Sequence, residues 1–161
     1  MSEAEIRAWL IDRLPEGWFA GPPELQLDGE EVLIVGELAA PAEVSGGSRE
    51  ARLQSFREET REQRMRIAKE AERRFGRRVS WGASVGGERQ LFTTLSIPVM
   101  TRLRLSERQV LDTLVEAGVA RSRSEALAWC VRLVGKHQAD WINELREALV
   151  RVGELRRRGP S

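Results

Sequence analysis

The sequence MTRLRL, residues 100–105, alternates arginine with leucine and decides the predicted fold of the chain. Successive side chains of a β-strand point to opposite faces, so the two leucines would lie on one face. Met100, Arg102 and Arg104 would lie on the other face. The apolar face needs a core, whereas paired guanidinium groups are well suited to donate hydrogen bonds to guanine edges or phosphates. The segment is therefore a candidate strand for reading DNA.

Two helices with separate start signals follow this strand. Ser106 and the glutamine three residues later form a capping-box pattern, and Gly118 is placed to end the first helix. Ser122 and the glutamate three residues later form a second capping box before a strongly apolar helix. We expect Gly135 to close or interrupt that second helix. The order strand, helix, helix covers about residues 99–134.

This order resembles the ribbon-helix-helix family of DNA-binding proteins, the superfamily of the Arc and MetJ repressors. In that family two chains pair their strands into an antiparallel ribbon, and alternate ribbon side chains enter the major groove. The start of the family's second helix holds a DNA phosphate with its backbone donors. The resemblance implies a homodimer that binds double-stranded DNA. The matching positions are Met100, Arg102 and Arg104 in the ribbon, and Ser122, Arg123 and Ser124 at the helix start.

Two features of the sequence leave another arrangement open. Almost a hundred residues precede the strand, whereas members of the family most often begin with it at or near the N-terminus. Residues 91–97 are also strand-like, which allows one long strand interrupted at Pro98 and paired within its own sheet. Arg102 and Arg104 would then form the solvated face of an ordinary strand.

Composition places the chain among globular proteins. Its 161 residues, 41% of them apolar, suffice for one medium domain or two small ones. No stretch approaches the ~18 continuous apolar residues of a membrane-spanning helix, and the N-terminus lacks a secretory pattern. We therefore expect a cytoplasmic protein that does not enter a membrane. Cys130, the one cysteine, is expected to serve as a small core residue.

The residue types that carry catalysis are scarce in this chain. It has one histidine, one cysteine and no tyrosine, which argues against a zinc site or a nucleophilic pair. The two Gly-Gly pairs lack the surrounding pattern of a phosphate-binding loop. We therefore expect no enzymatic activity, no metal and no cofactor.

Charge is distributed unevenly along the sequence. Residues 1–47 carry two arginines against ten acids, a net charge of −8. Residues 48–78 carry a net +5, and residues 99–137 carry a net +3. This asymmetry is compatible with a basic surface for nucleic acid beside an acidic surface. The preference for arginine over lysine, 24 to 2, suits phosphate recognition but is also what a GC-rich genome produces.

The first hundred residues predict an α+β unit in which helices cover one face of an antiparallel sheet. Ser2 and Glu5 form a capping box, and Asp28-Gly29 is a strong hairpin pattern. The predicted elements are a helix at 3–14, strands at 24–27 and 32–38, a linker at 39–48, a long helix at 48–75, and a half-buried strand at 79–85 that turns at Gly86-Gly87.

Two long helices complete the predicted organisation. Arginine and glutamate dominate the helix at 48–75, which indicates a solvated surface or, because arginine is in excess, a surface that faces nucleic acid. The last helix, at 138–157, repeats apolar residues at heptad spacing. That helix would either cover the domain or pair with its counterpart in a dimer.

These observations predict three regions with different tasks. Residues 1–97 form an α+β domain for a protein partner, an effector or oligomerisation, residues 98–137 form the ribbon-helix-helix-like DNA-binding segment, and residues 138–161 form a helix with a basic tail. The expected function is that of a dimeric transcriptional regulator that reads the major groove with a β-ribbon. The alternative is a protein-interaction or scaffold module, or an RNA- or ribosome-associated protein without specific DNA binding.

Overall fold

The computed structural model describes residues 2–39 and 46–160 of the chain. The chain divides into two compact units, Met1–Pro98 and Val99–Ser161. The first unit contains α1 (Glu3–Arg13), β1 (Glu24–Leu27), β2 (Glu31–Glu37), α2 (Gly46–Glu59), α3 (Arg61–Phe75), β3 (Arg78–Val85) and β4 (Glu88–Leu91). The second unit contains α4 (Leu105–Glu116), α5 (Arg123–His137) and α6 (Ala139–Arg158).

The sheet of the first unit has the strand order β1-β2-β3-β4, and the predicted α+β class is confirmed. The two outer pairs are antiparallel, but β2 and β3 run parallel, with Ile34 opposite Trp81. The prediction of an antiparallel sheet was therefore wrong for the central pair. Because α2 and α3 connect β2 to β3, the chain crosses back along the sheet and enters β3 in the same direction.

Local hydrogen bonds fix the hairpin between β1 and β2. The carboxylate of Asp28 accepts hydrogen bonds from the backbone N–H groups of Glu30 and Glu31 at 2.8 and 2.7 Å. These bonds hold the pKa of Asp28 below its usual value. The turn sets the register in which Val32 and Ile34 are fully buried.

The capping box predicted at the start of α1 is confirmed. Ser2 Oγ accepts from the backbone N–H of Glu5 at 3.3 Å, and the Glu5 carboxylate accepts from the backbone N–H of Ser2 at 2.6 Å. These bonds satisfy donors that a helix start leaves without partners. The helix then buries Ile6 and Leu10 in the core and ends at Arg13, two residues before a proline.

The helix predicted at 48–75 is two helices that meet at Thr60. Thr60 Oγ1 donates to the carbonyl oxygen of Phe56 at 2.6 Å, and the buried Arg64 donates to Thr60 Oγ1 at 2.9 Å and to the carbonyl oxygen of Arg57 at 2.6 Å. A threonine that bonds back to the preceding turn bends a helix, and a cation stabilises the end of one. Burial, with the nearby arginines, lowers the pKa of Arg64.

Helices and sheet enclose two adjoining hydrophobic clusters. β3 contributes to both and is buried on both faces over much of its length, including Ser80, although a half-buried strand was predicted. The position of β3 explains this difference, since it lies between β2 and β4 in the sheet and both α2 and α3 pack against it. One cluster contains Ile6, Leu10, Leu25, Val32, Ile34, Ile67, Ala71 and Trp81, and the other contains Leu38, Leu53, Phe56, Ala83 and Val85.

Gly36 in β2 leaves room for the ring of Phe19. A Cβ added at this position would overlap that ring, which also packs near Trp18 and Phe56. We expect Gly36→Ala to lower the free energy of unfolding by about 1 to 3 kcal/mol, because the ring must leave its cluster. Gly29→Ala is the matched control, since its added Cβ would meet no atom within 4 Å. Urea unfolding measures both variants, and equal stabilities would contradict this packing.

The second unit differs from its predicted boundaries at two points. α4 begins at Leu105 rather than after Ser106, and the Glu107 carboxylate accepts from the backbone N–H of Arg104 at 2.6 Å. α5 passes through Gly135 and ends at His137, so the predicted closure or interruption at that glycine was wrong. The long C-terminal helix is confirmed as α6.

None of the helices at residues 2–39 and 46–160 has the length and hydropathy that a membrane crossing needs.

Two predicted segments between elements are also changed. β4 ends at Leu91, and residues 93–104 are neither helix nor strand, so the strand-like sequence at 91–97 does not form a continuous strand with residues 100–105. Residues 40–45 of the predicted linker lie outside the described residues. The end of that linker belongs to α2, which begins at Gly46.

Candidate nucleic-acid interface

The segment at residues 99–104 lies on the surface of the second unit. Met100 is 96% exposed, and Arg102 and Arg104 are exposed as well. Leu103 is half-buried and packs against the core of this unit. Leu105 does not accompany it, because Leu105 starts α4 and is 63% exposed, so the expected pairing of the two leucines on one face was wrong.

Two hydrogen bonds attach the end of this segment to α4. Arg108 donates to the carbonyl oxygen of Leu103 at 2.6 Å, and Glu107 accepts from the backbone of Arg104. Within the described part of the chain, residues 99–102 form no backbone-to-backbone hydrogen bond. Their N–H and C=O groups are therefore available to pair with another strand, as at an open sheet edge. The strand predicted at residues 100–105 is not formed within one copy of the chain.

The start of α5 has the expected N-cap but only half of the expected capping box. Ser122 is the N-cap, and its Oγ accepts from the backbone N–H of Glu125 at 3.2 Å. The Glu125 carboxylate accepts from the backbone N–H of Arg121 at 2.8 Å, rather than from that of the cap residue. This bond, with the Arg121 guanidinium, lowers the pKa of Glu125. The N-cap leaves the first N–H groups of α5 without intrahelical partners.

The side chain of Arg123 is engaged within its own unit. Its Nε and Nη2 donate to the two carboxylate oxygens of Asp112 on α4 at 2.6 and 2.8 Å. This forked pair raises the pKa of Arg123 and lowers that of Asp112. The sequence did not single out Asp112, because no spacing rule relates a residue of α4 to the start of the next helix. Arg108 was missed as well, although its partner Leu103 is only five residues away. The pair of Arg123 and Asp112 ties the start of α5 to α4.

A groove joins the exposed segment to the start of α5. It has a volume of about 310 Å³ and brings together three of the six predicted site residues, Met100, Arg123 and Ser124. The other three, Arg102, Arg104 and Ser122, do not line it. The remaining lining residues are Val99, Thr101, Leu103, Arg108, Leu111 and Leu127.

The second unit buries little of its apolar surface. Among the residues that the structure describes, fourteen hydrophobic residues of the first unit are buried, but only Leu111, Ala120 and Ala126 in the second. Conversely, eighteen large hydrophobic residues are exposed among the described residues, and fourteen of them belong to the second unit. Cys130 is half-buried against its small core. So much exposed apolar surface is typical of an interaction site.

The Asp112–Arg123 pair predicts a pH dependence of stability. Because the folded state depresses the pKa of Asp112, the pair contributes stability above the unfolded pKa and loses it as pH falls through the folded pKa. We expect Asp112→Asn to lower the melting temperature at about pH 7, and this difference should shrink as the pH falls below the unfolded pKa of aspartate, about 3.9. Glu116→Gln, on the same helix, is the control. A difference that stays constant across this range would contradict the prediction.

These features define a class of protein. It is an α+β protein with two units, in which the first contains a mixed sheet and the second exposes an arginine-bearing segment without helix or strand beside two packed helices.

Comparisons with known proteins identify the family. Residues 4–91 match the N-terminal domain of the Rv1265-like protein family, and residues 104–156 match the Mb1296 C-terminal domain. The chain is 55% identical over 156 residues to the uncharacterized protein Rv1265 of Mycobacterium tuberculosis (strain ATCC 25618 / H37Rv) and to the uncharacterized protein Mb1296 of Mycobacterium bovis, covering 95% of this chain and 69% of each relative. It therefore belongs to the Rv1265-like family. No solved structure matches it.

Proposed function

We propose that this protein is a dimeric, sequence-specific DNA-binding protein that regulates transcription. The observation that carries the proposal is the segment at residues 99–104, which is exposed except for Leu103, is neither helix nor strand, and directly precedes two helices packed on each other. Its backbone has no strand partner within the described residues. An antiparallel pair of these segments from two copies would supply the missing partner and form the ribbon of the ribbon-helix-helix family.

Charge supports a role of this ribbon in DNA binding. Arg102 and Arg104 are exposed, and neither forms an ion pair within the described residues. Arginine can donate two hydrogen bonds to the O6 and N7 atoms of guanine, which is the commonest specific contact in the major groove. Residues 99–137 carry a net charge of +3, which favours approach to phosphates. Arg102 and Arg104, with Met100, would read bases.

The start of α5 is the proposed phosphate contact. The backbone N–H groups of Arg123 and Ser124 lie at the positive end of the helix dipole, and both residues line the groove beside the ribbon segment. In this proposal the forked bond to Asp112 fixes the helix start, so the backbone rather than the Arg123 guanidinium meets the phosphate. Such contacts set the position of the protein on the duplex without reading its sequence.

The exposed apolar surface of the second unit supports the dimer. Val110, Val131 and Val134 are exposed on α4 and α5, although both helices also contribute to a core. A second copy of the unit would cover such side chains and enlarge a core that holds three buried hydrophobic residues among those described. The first unit, with its acidic N-terminal part, would bind a protein partner or an effector.

Selection from a pool of random duplexes tests the proposal, because the preferred sequence is unknown. The full chain should enrich a common sequence motif, bind it as a dimer, and keep that binding in excess unlabelled RNA. The logarithm of the binding constant should fall linearly with the logarithm of salt concentration. No enrichment and no salt-dependent binding would contradict the proposal and favour a scaffold module. Equal competition by RNA would favour an RNA-associated protein.

A further inference from the structure

Helix α6 (Ala139–Arg158) exposes a continuous apolar stripe. None of the residues of α6 is buried, and Trp141, the first residue of the stripe, is 57% exposed. Gln138 joins α5 to α6 through two hydrogen bonds of helical spacing. Its backbone N–H donates to the carbonyl oxygen of Val134 at 2.8 Å, and its carbonyl oxygen accepts from the N–H of Ile142 at 3.0 Å. The stripe residues recur with spacings of four, three, four and three, which places them on one side of the helix and matches a coiled-coil seam. They are Trp141, Leu145, Ala148, Val152 and Leu155.

The charges of α6 are segregated along its length. Residues 140–147 contain three acids and one arginine, a net −2, whereas residues 148–158 contain four arginines and one glutamate, a net +3. This arrangement favours one orientation of a helix pair. Two parallel copies would place like charges side by side, but two antiparallel copies place the acidic half of each beside the basic half of the other. Antiparallel helices also oppose their dipoles favourably.

One pair of residues makes the complementarity specific. Each residue of a helix turns the side-chain direction by about 100°, so Glu144 and Arg151, which are seven residues apart, lie on the same edge of the stripe. In an antiparallel pair of helices, this edge of one copy faces the same edge of the other. Within the described residues neither forms an ion pair. Arg151 and Arg158 lie on either side of Leu155 in a shallow groove of about 250 Å³, which Glu154 also lines, so that basic residues outnumber the acid there by two to one. A glutamate from another copy would fit between these two guanidinium groups.

We infer that α6 is a self-association surface that packs antiparallel against α6 of a second copy of this chain, with Glu144 of each copy beside Arg151 of the other. The stripe then becomes the seam of the pair. This contact is separate from the proposed DNA ribbon. It does not require the chain to bind DNA.

Charge exchange tests the pairing in the full chain. Glu144→Arg and Arg151→Glu should each weaken self-association by about tenfold, because each variant places like charges together at two symmetric sites. The double variant Glu144→Arg/Arg151→Glu should restore it. Glu16→Arg makes the same charge change on an exposed residue of the first unit, outside α6, and should leave association unchanged. Sedimentation equilibrium gives the dissociation constants. An unaffected Glu144→Arg variant, or no recovery in the double variant, would overturn the inference.

The distance between labels tests the orientation. A spin label on Arg157→Cys, in a Cys130→Ser background, should lie roughly 28 Å from its counterpart, since the two positions would be separated by about nineteen residues of helix at ~1.5 Å each. Parallel helices would place these labels about 10 Å apart, and that result would overturn the proposed orientation. A protein that stays monomeric, with α6 covered by its own chain or another protein, would overturn the pairing. Duplex binding of each variant, measured separately, keeps this test distinct from that of the DNA ribbon.

Discussion

Replacing Arg102 and Arg104 together by alanine should weaken binding to the selected duplex by at least about thirtyfold. A bidentate contact between arginine and a base contributes about 1 to 3 kcal/mol of discrimination, and both guanidinium groups are exposed in the second unit. The variant should also lose sequence preference, because the remaining phosphate contacts do not depend on sequence. Fluorescence anisotropy with the selected duplex and with a scrambled one measures both effects.

The matched control removes two arginines from another surface. Arg66 and Arg73 are exposed on α3, the arginine-rich helix of the first unit. The Arg66→Ala/Arg73→Ala variant has the same net charge as the ribbon variant and should lose much less affinity. If the control lost more affinity than the ribbon variant, the nucleic-acid surface would lie on α3. Unchanged binding in the Arg102→Ala/Arg104→Ala variant would contradict base reading by the ribbon.

Ala126→Glu should unfold the second unit and abolish duplex binding. Ala126 on α5 is 0% exposed and packs in the small core with Leu111 and Ala120. A carboxylate there would be an unpaired buried charge, which costs about 3 to 5 kcal/mol. This loss is comparable to the whole stability expected of so small a unit, at roughly 0.05 to 0.15 kcal/mol per residue. Circular dichroism should report the loss of α4 and α5, and anisotropy the loss of binding.

An exposed alanine on the same helix provides the control. Ala128 lies two residues further along α5, about 200° around the helix, and is exposed. Ala128→Glu changes the net charge equally and should keep the helical content of the protein. A folded Ala126→Glu variant that still binds the duplex would contradict the packing of α4 on α5 as the support of the DNA-binding segment.

Local sequence patterns predicted much of the fold. The cap at Ser2, the hairpin at Asp28 and the cap at Ser122 all depend on atoms within a few residues, and the structure has each of them. Gly76 and Gly118 end helices with positive φ, a conformation that glycine adopts without strain. Short-range hydrogen bonds and backbone freedom can be read from a single sequence because both partners are close in it.

Contacts between distant residues were not predicted. Ile34 lies opposite Trp81 in a parallel pair, and no local pattern distinguishes that register from an antiparallel one. The break at Thr60 lies beside the buried guanidinium of Arg64, which stacks on the distant ring of Phe92 but looks in the sequence like any other charge of an arginine-rich helix. Asp112 bonds to Arg123 on the next helix, eleven residues further along the chain, and no local pattern predicts that contact. Arg108 bonds to the carbonyl oxygen of Leu103, only five residues away, but this contact belongs to no recognised capping pattern. In the proposal, residues 100–104 become a strand only by pairing with a second chain, which one sequence does not contain.

Interchain nuclear Overhauser effects within residues 100–104 test the central claim most directly. A sample made from equal amounts of isotope-labelled and unlabelled full-length chains allows contacts between copies to be observed separately from contacts within one copy. The proposal predicts cross-peaks between Hα atoms of this segment in the two copies, together with slow exchange of the amides that pair across the ribbon. A dimeric sample with no cross-peaks between copies in this segment, and with rapidly exchanging amides there, would contradict the proposed two-stranded ribbon.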